Sequence, residues 1–171
     1  MKYEKTTKLY LDKLAVYQEE HLQAIPPDEG WSLGQVYVHL ILANDHFFLK
    51  NAKRCLSKED TQRGGRKNRN GKIIFLLGGF PNMKYKMPKA VEVIPRPPES
   101  LEELRGKLLK SIDIGKEIAK QLEGYDPKEK IQHPAFGYLN AKEWFNMCEM
   151  HFRHHLRQIK SLEKFLSIRN N

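Results

Sequence analysis

The chain has 171 residues, of which 40% are hydrophobic and 30% are charged, an ordinary balance for one globular domain with its own core. No apolar run approaches the roughly 20 residues of a membrane-spanning helix, and the N-terminus has no signal-peptide core. Two cysteines without a CxxC motif, Cys55 and Cys148, argue against a disulfide framework. We therefore expect a single domain over residues 1–171 in the cytoplasm, with no membrane partner.

The net charge of +9 is concentrated in one segment. Residues 53–96 hold twelve Lys and Arg against three acidic residues, whereas the remainder has eighteen of each sign. Such a segment can meet an anionic partner, although a solvated charged loop is the commoner case. No nucleic-acid-binding motif or interleaved aromatic residue accompanies Arg63, Arg66, Lys67 and Arg69, so a nucleic-acid partner is a lower-ranked alternative.

Apolar periodicity predicts four long helices. They cover about Tyr3–Ala24, Ser32–Leu56, Ser100–Leu122 and Asn140–Ile168. Ser32 is a good N-cap, and Ser100 and Asn140 each have a Glu three residues later, the spacing of a capping box. The basic connection between the second and third helices, about 57–99, is rich in Gly and Pro. Ile73–Phe80 within it is predicted to pack as a short helix or a hairpin fragment, and the length suits a crossover between parallel helices.

The fourth helix carries histidines on its core-facing side. The stripe reads Trp144, Cys148, His151, His155, Gln158, Leu162 and Phe165. His151 and His155 are four residues apart, so both rings lie on one helix face and can converge on one point. On the second helix His39 lies between Val36 and Ala43, on the side predicted to face the interior. Polar rings inside a bundle need partners, and a shared metal ion would supply one.

His46, further along the second helix, is the competing candidate to His39. Three neutral histidines without a carboxylate would leave a metal ion its full double charge, so the open position would attract an anionic or deprotonated ligand. The expected ion is Zn²⁺, with Ni²⁺, Mn²⁺ and Fe²⁺ as alternatives, because imidazole suits all of them.

Other residues of the last helix and its lead-in have two interpretations each. Gln158 either orients a ligand imidazole or covers polar surface. Cys148 is predicted to be a buried thiol, with a fourth ligand or a nucleophile as the alternative. For His133, stabilising the turn at Pro134 is favoured over acid–base chemistry. His154 is predicted to lie beside the site, Tyr138 is a candidate pocket residue, and Trp144 is expected to pack in the core.

Three stretches resemble motifs of the DinB/YfiT-like superfamily. Trp31–Leu40 (WSLGQVYVHL) resembles that family's "WS…V..HL" signature, and His151–Ile159 (HFRHHLRQI) is similar to its "HxxHHxxQ" motif. His133–Trp144 (HPAFGYLNAKEW) is similar to the "HPxFGxL…eW" lead-in of one branch. The three occur in the family's order and extend the resemblance over nearly the whole chain.

The resemblance implies an all-α, up-down-down-up four-helix bundle, often a homodimer, with metal ligands at His39, His151 and His155. Known members include thiol S-transferases using bacillithiol, mycothiol or glutathione, and an isomerase, whereas many others are only classed by name as metal-dependent hydrolases. The leading hypothesis is an enzyme that transfers a low-molecular-weight thiol to a small electrophilic substrate. The nucleophile would be a metal-activated thiol or water, with support from His133, His154 or Gln158. A metal-dependent hydrolase and a non-catalytic metal-binding protein are the alternatives.

Overall fold

The computed structural model describes residues 1–27, 30–81 and 94–168. In chain order the helices are α1 Lys2–Leu14, α2 Glu19–Gln23, α3 Leu33–Ala43, α4 Lys50–Ser57, α5 Arg69–Leu77, α6 Leu101–Gln121 and α7 Ala141–Phe165. A π-helical segment, Asn44–Leu49, joins α3 to α4, and a 3-10 turn, Leu122–Gly124, follows α6. Three short strands complete the described part: β1 Gln62–Arg63, β2 Glu129–His133 and β3 Gly137–Asn140.

The first predicted helix is divided in two. The chain leaves the helical path after Leu14 and resumes it in α2. Tyr17, in the break, is 5% exposed and its hydroxyl donates to Glu163 Oε1 over 2.7 Å. This long-range bond accompanies a turn where the sequence has no Gly or Pro, so the prediction of one helix over Tyr3–Ala24 was wrong at this point.

The second predicted helix is confirmed to within one residue at its end. Ser32 Oγ accepts from the Gln35 backbone N–H, and Gln35 Oε1 accepts from the Ser32 N–H, which completes a capping box. The π-helical segment widens one turn of this helix and includes the fully buried Asn44. The Asn44 amide donates to Ser111 Oγ on α6 over 2.8 Å, an interior polar contact between two long helices.

The predicted N-terminus of the last helix is confirmed, and that of α6 differs in detail. Asn140 Oδ1 accepts from the Glu143 N–H, and Glu143 Oε2 accepts from the Asn140 N–H. At α6, Ser100 Oγ caps the Glu103 N–H, but the Glu103 carboxylate accepts from the N–H of Glu99 instead of Ser100. The predicted capping box at Ser100 is therefore only half formed.

A small sheet corrects the all-α prediction. β1, β2 and β3 form an antiparallel sheet in that order, with Gln62 opposite Lys130 and Lys130 opposite Asn140. His133, predicted to stabilise the turn at Pro134, is the last residue of β2. The sheet joins the crossover to the chain entering α7, because β3 ends at the residue that caps this helix.

The crossover contains one short helix. Asn68 Oδ1 caps the Gly71 N–H at the start of α5, and Gly78 ends the helix in the left-handed conformation with φ 63°. Of the two structures predicted for Ile73–Phe80, a short helix and a hairpin fragment, the helix is the one observed. Residues 82–93 of the predicted connection lie outside the described residues. No helix in the described ranges is long and apolar enough to cross a membrane.

The long helices enclose one core. α7 packs against α1, α3, α4 and α6, and α6 also contacts α1, α3 and α4. Fully buried side chains from these helices fill the centre: Tyr10, Tyr37, Leu40, Leu104, Leu108, Trp144 and Phe152. Burial of large apolar side chains is the main stabilising contribution here, at about 1.5–3 kcal/mol for each. The up-down-down-up order of helix directions stays a prediction.

Candidate metal site

Three histidines from two helices converge on one point. His39 lies on α3, and His151 and His155 lie on successive turns of α7. Nε2 of His151 is 3.2 Å from Nε2 of His39 and 3.2 Å from Nε2 of His155. One donor nitrogen from each ring lies within 4.8 Å of the other two. We call these three residues the histidine cluster.

The side chain of Gln158 fixes which nitrogen of His155 carries a proton. Its Oε1 atom lies 2.8 Å from Nδ1 of His155, and an amide oxygen can only accept a hydrogen bond. In the neutral ring the proton is therefore on Nδ1, and the lone pair is on Nε2, which faces His151. The contact favours the interpretation in which Gln158 orients His155.

The spacing of the nitrogens fits one shared cation. Zinc binds imidazole at about 2.0–2.1 Å, and tetrahedral angles would then separate two nitrogens by about 3.3 Å. The separations of 3.2 Å around His151 are close to this value. Without a cation, one proton on His151 Nε2 would have to serve two facing rings. Among the described residues, no Asp, Glu or Cys joins this metal-capable group.

Burial keeps all three rings uncharged at neutral pH. It lowers the pKa of His39 to about 4 and is the largest cause lowering that of His155 to about 4. Burial, followed by repulsion from His155 and His39, holds the pKa of His151 well below its usual value. Protons and metal ions compete for the same imidazole lone pairs. Near pH 7 the cluster therefore offers three neutral imidazoles, each with one nitrogen lone pair for a metal ion.

Aromatic rings surround the histidine cluster. The ring of Trp31 lies 4.9 Å from that of His39, and the ring of Phe48 lies 5.2 Å from that of His151. Phe80, just after α5, has its ring 6.4 Å from that of His151. An apolar surround of this kind limits water and strengthens electrostatic interactions at a metal site.

None of these aromatic rings is predicted at the site from the sequence. Trp31 stands just before the N-cap of α3, a position where an apolar residue commonly packs against the helix start, so its type carries no specific signal. Phe48 and Phe80 are placed by the π-helical segment and by the crossover, and neither path is encoded in a local motif.

The remaining candidate ligands lie outside the cluster. His46 is exposed on the π-helical segment. His154 is half-buried, its ring lies 5.2 Å from that of His155, and burial lowers its pKa. Cys148 is fully buried, its thiol lies 3.8 Å from the Trp144 carbonyl oxygen, and burial raises its pKa. This is the environment of an uncharged, packed thiol.

His133 lies at the turn between β2 and β3. Its Nδ1 accepts from the Ala135 N–H over 3.0 Å, and its ring stacks on Phe136 at 4.5 Å. The side chain is 7% exposed, and burial lowers its pKa to about 4. These contacts favour the interpretation of His133 as a turn-stabilising residue over an acid–base role.

Two further candidates lie in the packing of the sheet and core. Tyr138 packs closely over Gly65, a glycine with φ of 90° that leaves no room for a side chain. Trp144 is fully buried, as expected of a core residue. A cavity of about 710 Å³ lies between the ends of α1, α5 and α6 and one side of α7, and its lining contains none of the clustered histidines.

Part of the charge of the basic segment is paired inside the chain. The ion pairs are Arg54–Asp60, Arg63–Asp126, Arg63–Glu129 and Lys67–Glu143. Arg63 and Lys67, two of the four residues considered for nucleic-acid contact, thus hold the crossover to the β2–β3 hairpin and to α7. This pairing weakens the nucleic-acid alternative further.

Comparison with known proteins agrees with this architecture. Residues 2–159 match the family model described as the DinB superfamily. Among solved structures the chain is similar to TT2238, described as a four-helix bundle protein, with 18% identity, a TM-score of 0.57 and coverage of 94% of each chain. At this identity the similarity shows the fold alone. None of the curated proteins compared matches the chain. Since the family model spans most of its length, the chain belongs to the DinB superfamily and folds as a four-helix bundle with a small added sheet.

Proposed function

We propose that the protein is a divalent-metal-dependent enzyme in which His39, His151 and His155 hold the ion, with zinc as the preferred metal. The observation that carries the proposal is the convergence of three Nε2 atoms from two helices at separations suited to one cation. The chain also belongs to the DinB superfamily, and the resemblance of its motifs to that family implies metal ligands at these three positions. Zinc is preferred because three imidazoles leave the open fourth position of a catalytic zinc site.

The charge of the surroundings favours one kind of ligand at the open fourth position of the metal ion. The three imidazoles are neutral, and no carboxylate of the described residues joins the group. A bound divalent ion would supply Lewis acidity and lower the pKa of a coordinated thiol or water toward neutrality. An anionic sulfur ligand is the natural complement of such a site, and the aromatic rings of Trp31, Phe48 and Phe80 reduce competition from bulk water.

The proposed reaction joins a low-molecular-weight thiol to an electrophilic substrate. The thiol gives up its proton, its sulfur forms a bond to the electrophilic carbon, and the leaving group departs with the bonding electrons. His154 is neutral, half-buried and adjacent to the cluster, so we assign it as the base that takes that proton. His155 is not the proposed base, because the hydrogen bond to Gln158 orients it as a metal ligand.

Metal analysis of the purified protein tests the site. We expect one equivalent of a divalent metal in the wild type and none in His39→Ala, His151→Ala or His155→Ala. His46→Ala is the matched control, because His46 is an exposed histidine on the same long helix, and it should retain the metal. Stoichiometric metal in all three folded cluster variants would refute the proposed ligands.

Turnover assays test the reaction. The metal-loaded protein is offered electrophiles with and without bacillithiol, mycothiol or glutathione, and both thiol loss and hydrolysis product are measured. We expect electrophile consumption that requires a thiol and one thiol lost for each electrophile. Hydrolysis without thiol would instead support the metal-dependent hydrolase and overturn the transferase proposal.

We also propose that the active form is a homodimer. The support is the superfamily membership of the chain. Light scattering across a range of protein concentrations tests it, with twice the chain mass of 20.1 kDa as the expected result. A mass of one chain at all concentrations would contradict it.

A further inference from the structure

The outer face of α5 is an exposed apolar ridge. Ile73, Leu76 and Leu77 are exposed by 41%, 87% and 65%, and their spacing of three and four residues places them on one side of the helix. Ile74, the residue after Ile73, is 3% exposed and packs in the core. Leu76 is the most exposed large hydrophobic residue in the described part of the chain. Clustered aliphatic side chains at this exposure indicate a surface that meets another apolar phase.

Positive charges border this α5 ridge. Arg69 precedes Ile73 by one turn, Lys72 precedes Leu76 by one turn, and both side chains are exposed. The ion pairs found for the described part of residues 53–96 use Arg54, Arg63 and Lys67, so neither Arg69 nor Lys72 is neutralised by an acid there. The ridge and both cations belong to residues 53–96, the segment that holds the net charge of +9.

A second copy of the chain complements this surface poorly. Outside residues 53–96 the chain has eighteen acidic and eighteen basic residues, so it offers no net negative charge to match the ridge. The shape of the ridge also favours a partner whose surface can deform. With Leu76 87% exposed, the ridge is convex, and a protein partner would need a groove fitted to it, whereas the boundary of a lipid bilayer deforms around such a ridge.

We infer that the α5 ridge, together with Arg69 and Lys72, docks on a membrane surface that contains anionic phospholipids. Helices that lie on such surfaces place aliphatic side chains at the acyl boundary and Lys or Arg among the headgroup phosphates. Ile73, Leu76 and Leu77 are the inserting side chains, and the two cations make the contact selective for negatively charged lipid. This peripheral contact needs no membrane-spanning helix, and it departs from the expectation from the sequence that the protein has no membrane partner.

Contacts at the end of α5 connect the docked helix to the histidine cluster. The Arg153 guanidinium donates to the Gly78 carbonyl oxygen and pairs with Glu149 on its own helix. Phe80, two residues later, packs beside His151. Docking through α5 would therefore hold the candidate site near the lipid surface, where apolar electrophiles accumulate. The docking itself does not depend on the metal or on the proposed reaction.

Vesicle sedimentation tests the inference. The full chain is mixed with phosphatidylcholine vesicles and with vesicles in which a third of the lipid is phosphatidylglycerol, at low and at high salt. We expect binding to the anionic vesicles that falls with salt, and binding at least about tenfold weaker to the neutral ones. Leu76→Ser combined with Leu77→Ser should weaken anionic binding by about tenfold or more, and so should Arg69→Glu combined with Lys72→Glu.

The control variant is Leu42→Ser, at a residue of α3 that is 45% exposed and distant in sequence from α5. It should bind as the wild type does, and thermal unfolding of every variant verifies the fold. Absence of vesicle binding, equal binding to both vesicle types, or full binding by the Leu76/Leu77 variant overturns the inference. A dimer in light scattering that this variant converts to monomer, without vesicle binding, would assign the ridge to self-association instead.

Discussion

Gln158 holds one ring of the histidine cluster through a hydrogen bond to His155. The amide oxygen holds the proton on Nδ1 of the ring, and Nε2 is left as the donor atom. A ligand histidine without such a partner can rotate or change tautomer, and both changes weaken metal binding. We therefore expect Gln158 to act by positioning His155, since its side chain contacts Nδ1 and not Nε2.

Replacing this amide gives the first prediction. Gln158→Leu should lower zinc affinity by about 10- to 100-fold, because Nδ1 of His155 loses its acceptor. Gln158→Glu should retain most of the affinity, since a carboxylate oxygen accepts the same hydrogen bond. Competition with a chromophoric chelator measures the affinity of each variant.

A glutamine elsewhere provides the control for this series. Gln132 is exposed on β2, and Gln132→Leu should leave zinc affinity unchanged. If Gln158→Leu binds zinc as tightly as the wild type, the side chain does not orient His155 and merely covers polar surface.

The pKa of His133 gives the second prediction. Burial lowers the folded-state pKa to about 4, whereas the unfolded value is about 6.5. The unfolded chain therefore binds the proton first as pH falls, so stability is full above about pH 6.5 and is lost progressively toward pH 4. The wild type should therefore lose free energy of unfolding between pH 7 and pH 5, and in His133→Gln this loss should be smaller by on the order of 1–2 kcal/mol. Urea unfolding of the metal-free protein measures it.

The readout is the difference in unfolding free energy between pH 7 and pH 5, so a uniform loss of stability in the variant does not affect it. Equal slopes for His133→Gln and wild type would mean that the buried ring is not a source of the acid sensitivity.

Individual residues differ in how far the sequence could assign them. His151 and His155 are predictable, because two imidazoles interrupt an apolar stripe at helical spacing. His39 also needed the family resemblance, since one histidine on an interior face is usually structural. The orientation of Gln158 was left open, because its amide direction depends on a rotamer that no sequence pattern fixes. Phe80 was missed because the crossover, not a helix period, places it.

At the scale of elements, the ends of the long helices follow from local chemistry. Ser32, Ser100 and Asn140 each accept from the backbone N–H three residues later, as their residue types predict. The sheet could not be predicted in this way. β1 has only two residues and pairs with β2 across more than sixty residues of chain. Its formation depends on tertiary contacts, and the short strands have no clear alternating pattern.

The cap of α7 gives the third prediction. Asn140→Ala removes the acceptor for the Glu143 N–H and should destabilise the protein by about 1 kcal/mol. Asn140→Asp should restore most of that stability, because the aspartate side chain accepts the same hydrogen bond. Urea unfolding measures the stability of both variants. Asn146→Ala, at an exposed position within α7, is the control, because it removes an Asn side chain that does not cap the helix. An equal loss at both positions would contradict a capping role.

For the whole molecule, the cluster joins parts of the chain that are far apart in sequence. His39 and His151 are 112 residues apart, so their nitrogens meet only when α3 and α7 are packed. An ion held by both would bind the folded chain and not the unfolded one, and ligands of that kind raise stability with concentration.

This linkage gives the fourth prediction. Zinc at about 100 times its dissociation constant should add about 2.7 kcal/mol to the unfolding free energy of the metal-free protein. The midpoint of thermal unfolding should then rise with zinc in the wild type and stay constant in His151→Ala. Magnesium prefers oxygen ligands and should give no rise in either protein. A zinc-dependent rise that persists in His151→Ala would place the stabilising ion elsewhere.

The junction between β3 and α7 has a mechanical consequence for the cluster. No linker separates them, because Asn140 pairs with Lys130 in the sheet and also caps the helix. Successive residues of a helix are about 100° apart around its axis. The sheet register, together with the packing of α7 against its neighbours, therefore sets the direction in which this helix presents its imidazoles. One residue inserted before Ala141, with the hairpin held in place, would turn both rings away from α3 by about a quarter turn, although every ligand would still be present.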